Sequence, residues 1–216
     1  MNYKVIDMKQ YKRREHFSYF SDMAYPYVGI TVNVDITEWL AIVKEKNLPF
    51  FLSFLYAVTN AANSVKEFRQ RISADGQIIE FEKCLSSYTV ALPDETYCYC
   101  QVDADMSYLE FLACAQAEQK KVLEEGSIDD GEQILQLFFV SSIPWLSYTS
   151  LVQPVPAPAD SNPRITWGKY FRQNQRMFVP LTLLCHHALV DGLHFAQFFD
   201  SLDNLLAEFT ASFTKL

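Results

Sequence analysis

Between Val28 and Val34 every second residue is apolar, so Val28, Ile30, Val32 and Val34 share one side, the two-residue period of a strand. Residues 14–22 read as a short helix, and Thr37 is placed to cap a helix running to about residue 46. From Leu48 to about Phe68 the spacing of Phe51, Leu55, Val58 and Ala62 predicts a longer, largely buried helix. Asp75-Gly76 separates two short β-prone runs, 70–72 and 78–81, and predicts a hairpin. Strands follow at 87–92 and 96–103, then a helix from about Ser107 to Glu124, then an acidic stretch to Glu132 that reads as a solvated loop. Leu135–Val140 and Ile165–Phe171 are strand-like, and Arg176–Cys185 is a long strand paired with the latter across Gln173-Asn174-Gln175. Four prolines make Gln153–Pro163 an irregular connection. After Gly192 the set Phe195, Phe198, Phe199, Leu202, Leu205, Leu206 and Phe209 follows helical spacing. Strands mix with helices without regular βαβ alternation. The expected fold class is α+β, a two-layer sandwich of a mixed β-sheet with helices packed mainly on one face.

Composition narrows the class. With 50% hydrophobic and 20% charged residues, collagen, disorder and coiled coil are excluded. The 216 residues are expected to form a single domain over 1–216, large enough to bury roughly 70% of the unfolded surface without disulfides or metal. Seventeen Phe and twelve Tyr against six Gly point to a dense aromatic interior. The formal charge of −8 repels phosphate backbones and anionic lipid, so neither nucleic acid nor membrane is an expected partner. A small anionic co-substrate held by a local basic patch remains compatible with it. The five cysteines, an odd number without CxxC, and the lack of a secretory pattern lead us to expect reduced thiols and a cytoplasmic location. Cys98 and Cys100 would share one strand face, where apolar packing is the simpler reading than metal. No run of about 18 apolar residues predicts a membrane span.

The densest chemistry lies in Cys185-His186-His187-Ala188-Leu189-Val190-Asp191-Gly192-Leu193-His194. Two histidines end a buried strand, an acid follows, and a glycine allows the turn into the last helix. Histidine is costly to bury unpaired and is the usual general base near neutral pH. Zinc would use His186, His187, Asp191 and His194, but adjacent strand residues point to opposite faces, so His186 and His187 converge poorly on one ion. A serine-hydrolase triad would want a nucleophile elbow, and no GxSxG occurs. The third mechanism is a histidine that deprotonates a substrate hydroxyl directly.

The run His186–His194 resembles the HHAxxDGxH signature of the chloramphenicol acetyltransferases, and more broadly the HHxxxDG of CoA-dependent acyltransferases. Lys12-Arg13-Arg14-Glu15-His16-Phe17 resembles the family's R-[RK]-EHF segment. Val140-Ser141-Ser142-Ile143-Pro144-Trp145 resembles its S-x-x-PW segment, and Ile165-Thr166-Trp167-Gly168-Lys169-Tyr170 its T-x-x-KY strand. Glu67-Phe68-Arg69 and Asp94-Glu95-Thr96-Tyr97 add shorter matches in the same order, so the resemblance spans nearly the whole chain.

The resemblance implies direct acetyl transfer from acetyl-CoA to the 3-hydroxyl of chloramphenicol, with no acyl-enzyme and no metal. His187 would act as base, worth about 10²–10⁴-fold. Ser141 would donate to the oxyanion, a role commonly worth roughly 3–4 kcal/mol. Thr166 would assist near the intermediate, and Asp191 would pair with Arg13 to fix the loop carrying His187. Breaking such a pair, if buried, costs about 3–5 kcal/mol. The acceptor pocket would use Tyr19, Phe20, Tyr97, Leu151 and Val155. The CoA side would use Trp145, Lys169 and Tyr170. The resemblance also implies a homotrimer with its sites at subunit interfaces, one protomer's histidine facing a pocket largely built by its neighbour.

Read alone, Ser141 and Thr166 are ordinary strand residues and Arg13 belongs to a solvated basic patch. His16 and His194 read as structural, and His186 as facing away from His187 and satisfied by hydrogen bonds. The sequence departs from the family pattern at Met23–Tyr27, at Gln153, where an apolar residue is usual, and in the Pro-rich stretch. These departures keep two alternatives open: the same transfer to a different hydroxylated small molecule, and a non-catalytic homologue. Retention of His187, Asp191, Arg13, Ser141 and Thr166 together speaks against the latter.

Overall fold

In the computed structural model, which describes residues 2–214, the elements in chain order are β1 (Tyr3–Val5), α1 (Arg14–Ser21), β2 (Tyr27–Asp35), α2 (Thr37–Glu45) and α3 (Phe50–Ser64). They continue as β3 (Gln70–Ile72), β4 (Ile78–Phe81), β5 (Leu85–Ala91), β6 (Tyr97–Val102), α4 (Tyr108–Glu125) and β7 (Leu137–Ile143). The chain ends with β8 (Arg164–Gly168), β9 (Phe171–Gln173), β10 (Arg176–His186) and α5 (Gly192–Thr214). The main sheet has the order β2-β10-β8-β7-β5-β6, with β9 added on β10. Its β5–β7 and β7–β8 pairs are parallel and the others antiparallel, the expected mixed sheet of an α+β fold. A second, three-stranded sheet, β1-β4-β3, contains the predicted hairpin plus a strand, β1, that a three-residue exposed run does not announce. Arg71 of β3 is fully buried and donates to the carbonyls of Phe68, Gln70 and Leu137, which ties this small sheet to β7.

The register divides the main sheet into two faces. Tyr88, Val140, Ile165 and Leu183 stand side by side across four strands, all buried against the helical layer. One residue on, Ser141, Thr166, Thr182 and Thr31 stand side by side on the opposite face. Helix α3 is buried on nearly all sides, and its hydroxyls are satisfied locally: Ser53 donates to Pro49 O and Thr59 to Leu55 O, both at 2.7 Å.

Several boundaries differ from expectation for identifiable reasons. Thr37 is the first residue of α2 rather than its cap, because the Asp35 carboxylate accepts from its N–H at 2.9 Å and its hydroxyl at 2.6 Å. The long helix ends at Ser64, where Val65 turns extended, and Lys66–Arg69 forms a separate 3₁₀ turn. The strand expected over Ile165–Phe171 is broken at Lys169-Tyr170. There the 144–163 connection crosses the sheet, and Leu146 O accepts from Lys169 N–H at 2.7 Å. The predicted pairing across Gln173-Asn174-Gln175 survives as a tight turn with positive φ at Asn174 and Gln175. The acidic stretch is not simply solvated. Tyr99 N–H donates to Ser127 O and the Gln101 side chain to Asp130 O, so this loop covers the edge strand β6 and half-buries Asp130. Cys98 and Cys100 are both buried, as apolar packing requires.

A Cβ at Gly168 would lie 2.7 Å from Leu146 O and 2.9 Å from the Tyr148 ring. Gly168→Ala is therefore expected to lift the connection off the sheet and destabilise the protein by about 1–3 kcal/mol. An unchanged urea midpoint would refute this account of the crossing.

Candidate active site

Strand β10 ends at His186, and His187 opens the turn into α5. The turn is held by its own backbone: Leu189 and Val190 N–H both donate to His186 O at 3.0 Å, and His187 N–H to Pro26 O at 2.7 Å. His187 Nδ1 lies 2.9 Å from Val190 O. A carbonyl can only accept, so Nδ1 carries the proton and Nε2 presents a lone pair. The Phe20 ring stacks on the imidazole, with centroids 3.8 Å apart and planes 29° from parallel, and fixes its orientation.

The next contact outward is ionic. Arg13 precedes α1, and its guanidinium pairs with Asp191 through Nη1 while Nη2 donates to His187 O at 3.3 Å. Asp191 also caps α5, accepting from Leu193 N–H at 3.0 Å. Its own N–H donates to His194 Nδ1 at 3.0 Å, so a histidine completes a capping box that usually takes Glu or Gln. Burial works against ionisation of Asp191. The hydrogen bond from Arg13, its charge and the Leu193 N–H outweigh it and hold the carboxyl below its usual range. His186 is buried beside Tyr27, with Nδ1 accepting from Ala188 N–H at 3.3 Å. Burial, against the pull of Asp160 and with the push of His187, lowers its pKa to about 4. Among the described residues, no three His, Cys, Asp or Glu side chains are grouped to hold a metal ion.

Two cavities border the sheet, one on its hydroxyl-bearing face and one on its helical side. One, of about 400 Å³, is lined by Ser141, Thr166, Leu151, Gln153, Asp130 and Tyr99 among others. The other, of about 900 Å³, is lined by Phe51, Tyr97, Gln119, Ser142, Pro144 and Trp145 among others. Ser141 and Thr89 line both. Thr166 Oγ1 donates to Gln153 Oε1 at 3.2 Å, and Thr182 and Thr31 continue the row 2.7 Å apart.

The structure brings some of the expected site residues together and separates others. His187, Phe20, Arg13 and Asp191 form one cluster; Ser141, Thr166 and Leu151 form another. His187 lies five residues beyond Thr182, which is level with Thr166 and Ser141; at about 3.3 Å per residue this is roughly 16 Å along the strand. Within one chain the two clusters therefore do not meet. Tyr97 shares the larger cavity with Trp145 and not the smaller one with Leu151, while Val155 lines neither. Tyr170 packs on Phe50, 5.4 Å between ring centroids, and Lys169 is exposed. Tyr19 is 68% exposed beside Phe20. Sequence reasoning missed Asp130, Ser87, Tyr99 and Arg164 on the smaller cavity. Cross-strand register, which places Ser87 beside Phe139 and Phe139 beside Arg164, could have found the strand residues, whereas nothing local marks Asp130.

Comparison with known proteins bears on this arrangement. The chain matches the sequence model of the chloramphenicol acetyltransferase family over residues 1–203. It is 30% identical over 213 residues to a chloramphenicol acetyltransferase of Clostridium perfringens, covering 95% of this chain and 99% of that one. Over 216 residues it is 30% identical to one of Escherichia coli, covering 95% and 94%. A solved chloramphenicol acetyltransferase superposes with a TM-score of 0.83 at 24% identity, covering 95% of this chain and all (100%) of that one. The cubic core of a pyruvate dehydrogenase complex superposes with 0.69 at 21% identity, covering 90% and 87%.

Two outcomes follow from the electrostatics of the histidine turn. Arg13→Met leaves Asp191 without its cation, and because the Asp191 side chain keeps 31% of its exposure the expected loss is about 1–3 kcal/mol, below that of a fully buried pair. A urea titration reads this; no loss would mean the pair holds nothing. His186 stays neutral when folded down to a pKa of about 4, whereas the unfolded residue protonates near 6.5. Stability is therefore expected to fall as pH drops from 6.5 towards 4, with His186→Gln removing part of that decline. An identical slope in the variant would count against it.

Proposed function

The chain belongs to the chloramphenicol acetyltransferase family, and from that membership we propose that it transfers the acetyl group of acetyl-CoA to the 3-hydroxyl of chloramphenicol. His187 Nε2 takes the hydroxyl proton as the oxygen attacks the thioester carbonyl. The Ser141 hydroxyl donates to the resulting oxyanion, with Thr166 beside it. Collapse expels the CoA sulfur, which takes the proton back from the imidazolium, so the histidine ends as it began. Arg13 and Asp191 act by positioning: they hold the turn that carries the base and exchange no proton.

The observation that carries this reading is the tautomer of His187, whose Nδ1 is committed to Val190 O and whose Nε2 is left as a base. The presence of Ser141 in the lining of both cavities supports it, since an alcohol and a thioester must approach one point from different sides. The smaller cavity suits the acceptor. The larger, with Trp145 and Phe51 in its wall, suits the pantetheine arm of the donor.

The separation of His187 from Ser141 is the reason for the assembly we propose, a homotrimer in which the histidine of one protomer completes the cavity of the next. The surface around His187 is suited to burial: Tyr19, Met23, Tyr25 and Ile30 are exposed, and β2 is a nine-residue edge strand with no partner on its outer side among the described residues.

His187→Ala is expected to lower kcat by about 10²–10⁴-fold and Ser141→Ala by about 10²-fold or more, read by thiol release from acetyl-CoA with chloramphenicol. Co-expression of the two inactive variants is expected to restore turnover, because hybrid assemblies contain interfaces with both residues intact. Absence of complementation in verified hybrid oligomers would place both residues in one chain and refute the shared site. Turnover of other alcohols but not chloramphenicol would refute the acceptor.

A further inference from the structure

The smaller cavity carries a carboxylate that a neutral acceptor leaves unused. Asp130 sits in its wall, fixed twice: its side chain accepts from the buried Ser87 hydroxyl, and its carbonyl accepts from Gln101 Nε2 at 2.8 Å. Arg164 is the one basic residue among the described residues lining this cavity, and it is committed elsewhere. Both its Nη atoms donate to the two oxygens of Asp160, each at 2.8 Å. Burial raises the pKa of Asp130 against the hydrogen bonds from Ser87 and Gln101. A half-buried acid with no cation beside it is unfavourable in isolation and becomes favourable when a ligand brings one.

We propose that Asp130 recognises a cationic amine on the acceptor, so that this cavity selects amino alcohols over neutral alcohols of the same shape. The inference rests on the reading of this cavity as the acceptor pocket. Its geometry fits: Ser87 is level with Phe139, two residues from Ser141 on the neighbouring strand, which puts the two serine Cα atoms about 8 Å apart. A short amino alcohol spans that interval with its hydroxyl at Ser141 and its ammonium at Asp130. A second polar group faces the same space. Gln153 accepts from Thr166 through Oε1, and its Nε2 is buried without a hydrogen-bond partner, a donor free for an oxygen of the acceptor. Asp129 and Glu132, exposed neighbours of Asp130 in the chain, add negative charge to the same loop, which attracts cations and does nothing for a neutral molecule.

The probe pair is chloramphenicol and the N,N-dimethylated aminodiol left when its dichloroacetyl group is removed. The second keeps the nitrophenyl diol, is cationic at neutral pH and can take acetyl only on oxygen. Thiol release gives kcat/KM for each with the full-length protein and with Asp130→Asn and Ser87→Ala. The ratio of aminodiol to chloramphenicol kcat/KM is expected to fall at least about fivefold in Asp130→Asn. In Ser87→Ala, which keeps the charge but frees it, the fall is expected to be smaller. Added KCl is expected to lower the same ratio, since the donor is common to both reactions. A ratio that moves less than this in Asp130→Asn overturns the inference, as does wild-type protein that acetylates chloramphenicol while the aminodiol neither reacts nor competes. Wild-type protein that turns over neither compound overturns the reading of the cavity and the inference with it.

Discussion

A backbone carbonyl has lone pairs and no proton, and in the turn after β10 that fact decides what the imidazole can do. Val190 O lies against His187 Nδ1, so the proton stays there and the opposite nitrogen keeps its lone pair. Everything around the turn serves to keep those two atoms in place. Phe20 stacks on the ring, the His186 carbonyl closes the turn, and Arg13 reaches both the His187 carbonyl and the Asp191 carboxylate. Asp191 in turn caps α5, so helix start, ion pair and histidine form a single constraint rather than three local ones.

The sheet imposes the second constraint. Because side chains alternate, one register places Tyr88, Val140, Ile165 and Leu183 under the helices, and the shift of one residue places Ser141, Thr166, Thr182 and Thr31 on the far side. The hydrophobic core and the polar face are thus products of the same pairing. The alternation also sends the long β10 past the hydroxyl row before it reaches His187. A base so far from the hydroxyls of its own chain is a natural companion to a shared site.

The elements that could be read from sequence are those whose signal is local. The alternation in β2, the apolar stripe of α5 and the Asp75-Gly76 turn each depend on neighbours in the chain, and each formed as expected. The family motifs mark Arg13, Ser141, Thr166, His187 and Asp191 in the same way, as short runs of text. What could not be read depends on distant partners. Lys169 breaks a strand because Leu146 crosses it, and Asp130 folds inward because Gln101 and Ser87 receive it. None of these partners lies within a helix turn or a hairpin of the residue it controls. Tyr97 and Val155 likewise share a family position with pocket residues, yet where a side chain faces is set by the hairpin and the connection that carry it.

This division has a chemical consequence. The proposed reacting groups stand on or directly beside paired strands of the main sheet, where backbone hydrogen bonds hold position to a fraction of an ångström. The groups proposed to choose the acceptor stand on the 126–136 and 144–163 connections, which lie over that sheet and are tied to it by a few backbone and side-chain hydrogen bonds. Asp130 and Gln153 can therefore differ from an apolar wall without moving Ser141 or Thr166, because neither loop carries strand pairing. A charged group is also a sharper selector than an apolar one: it rewards a cation and penalises any neutral ligand that strips its water away. Chemistry held on strands and selection held on loops lets one acetyl-transfer site serve acceptors of different charge, and the polar wall of this cavity is where that freedom has been used.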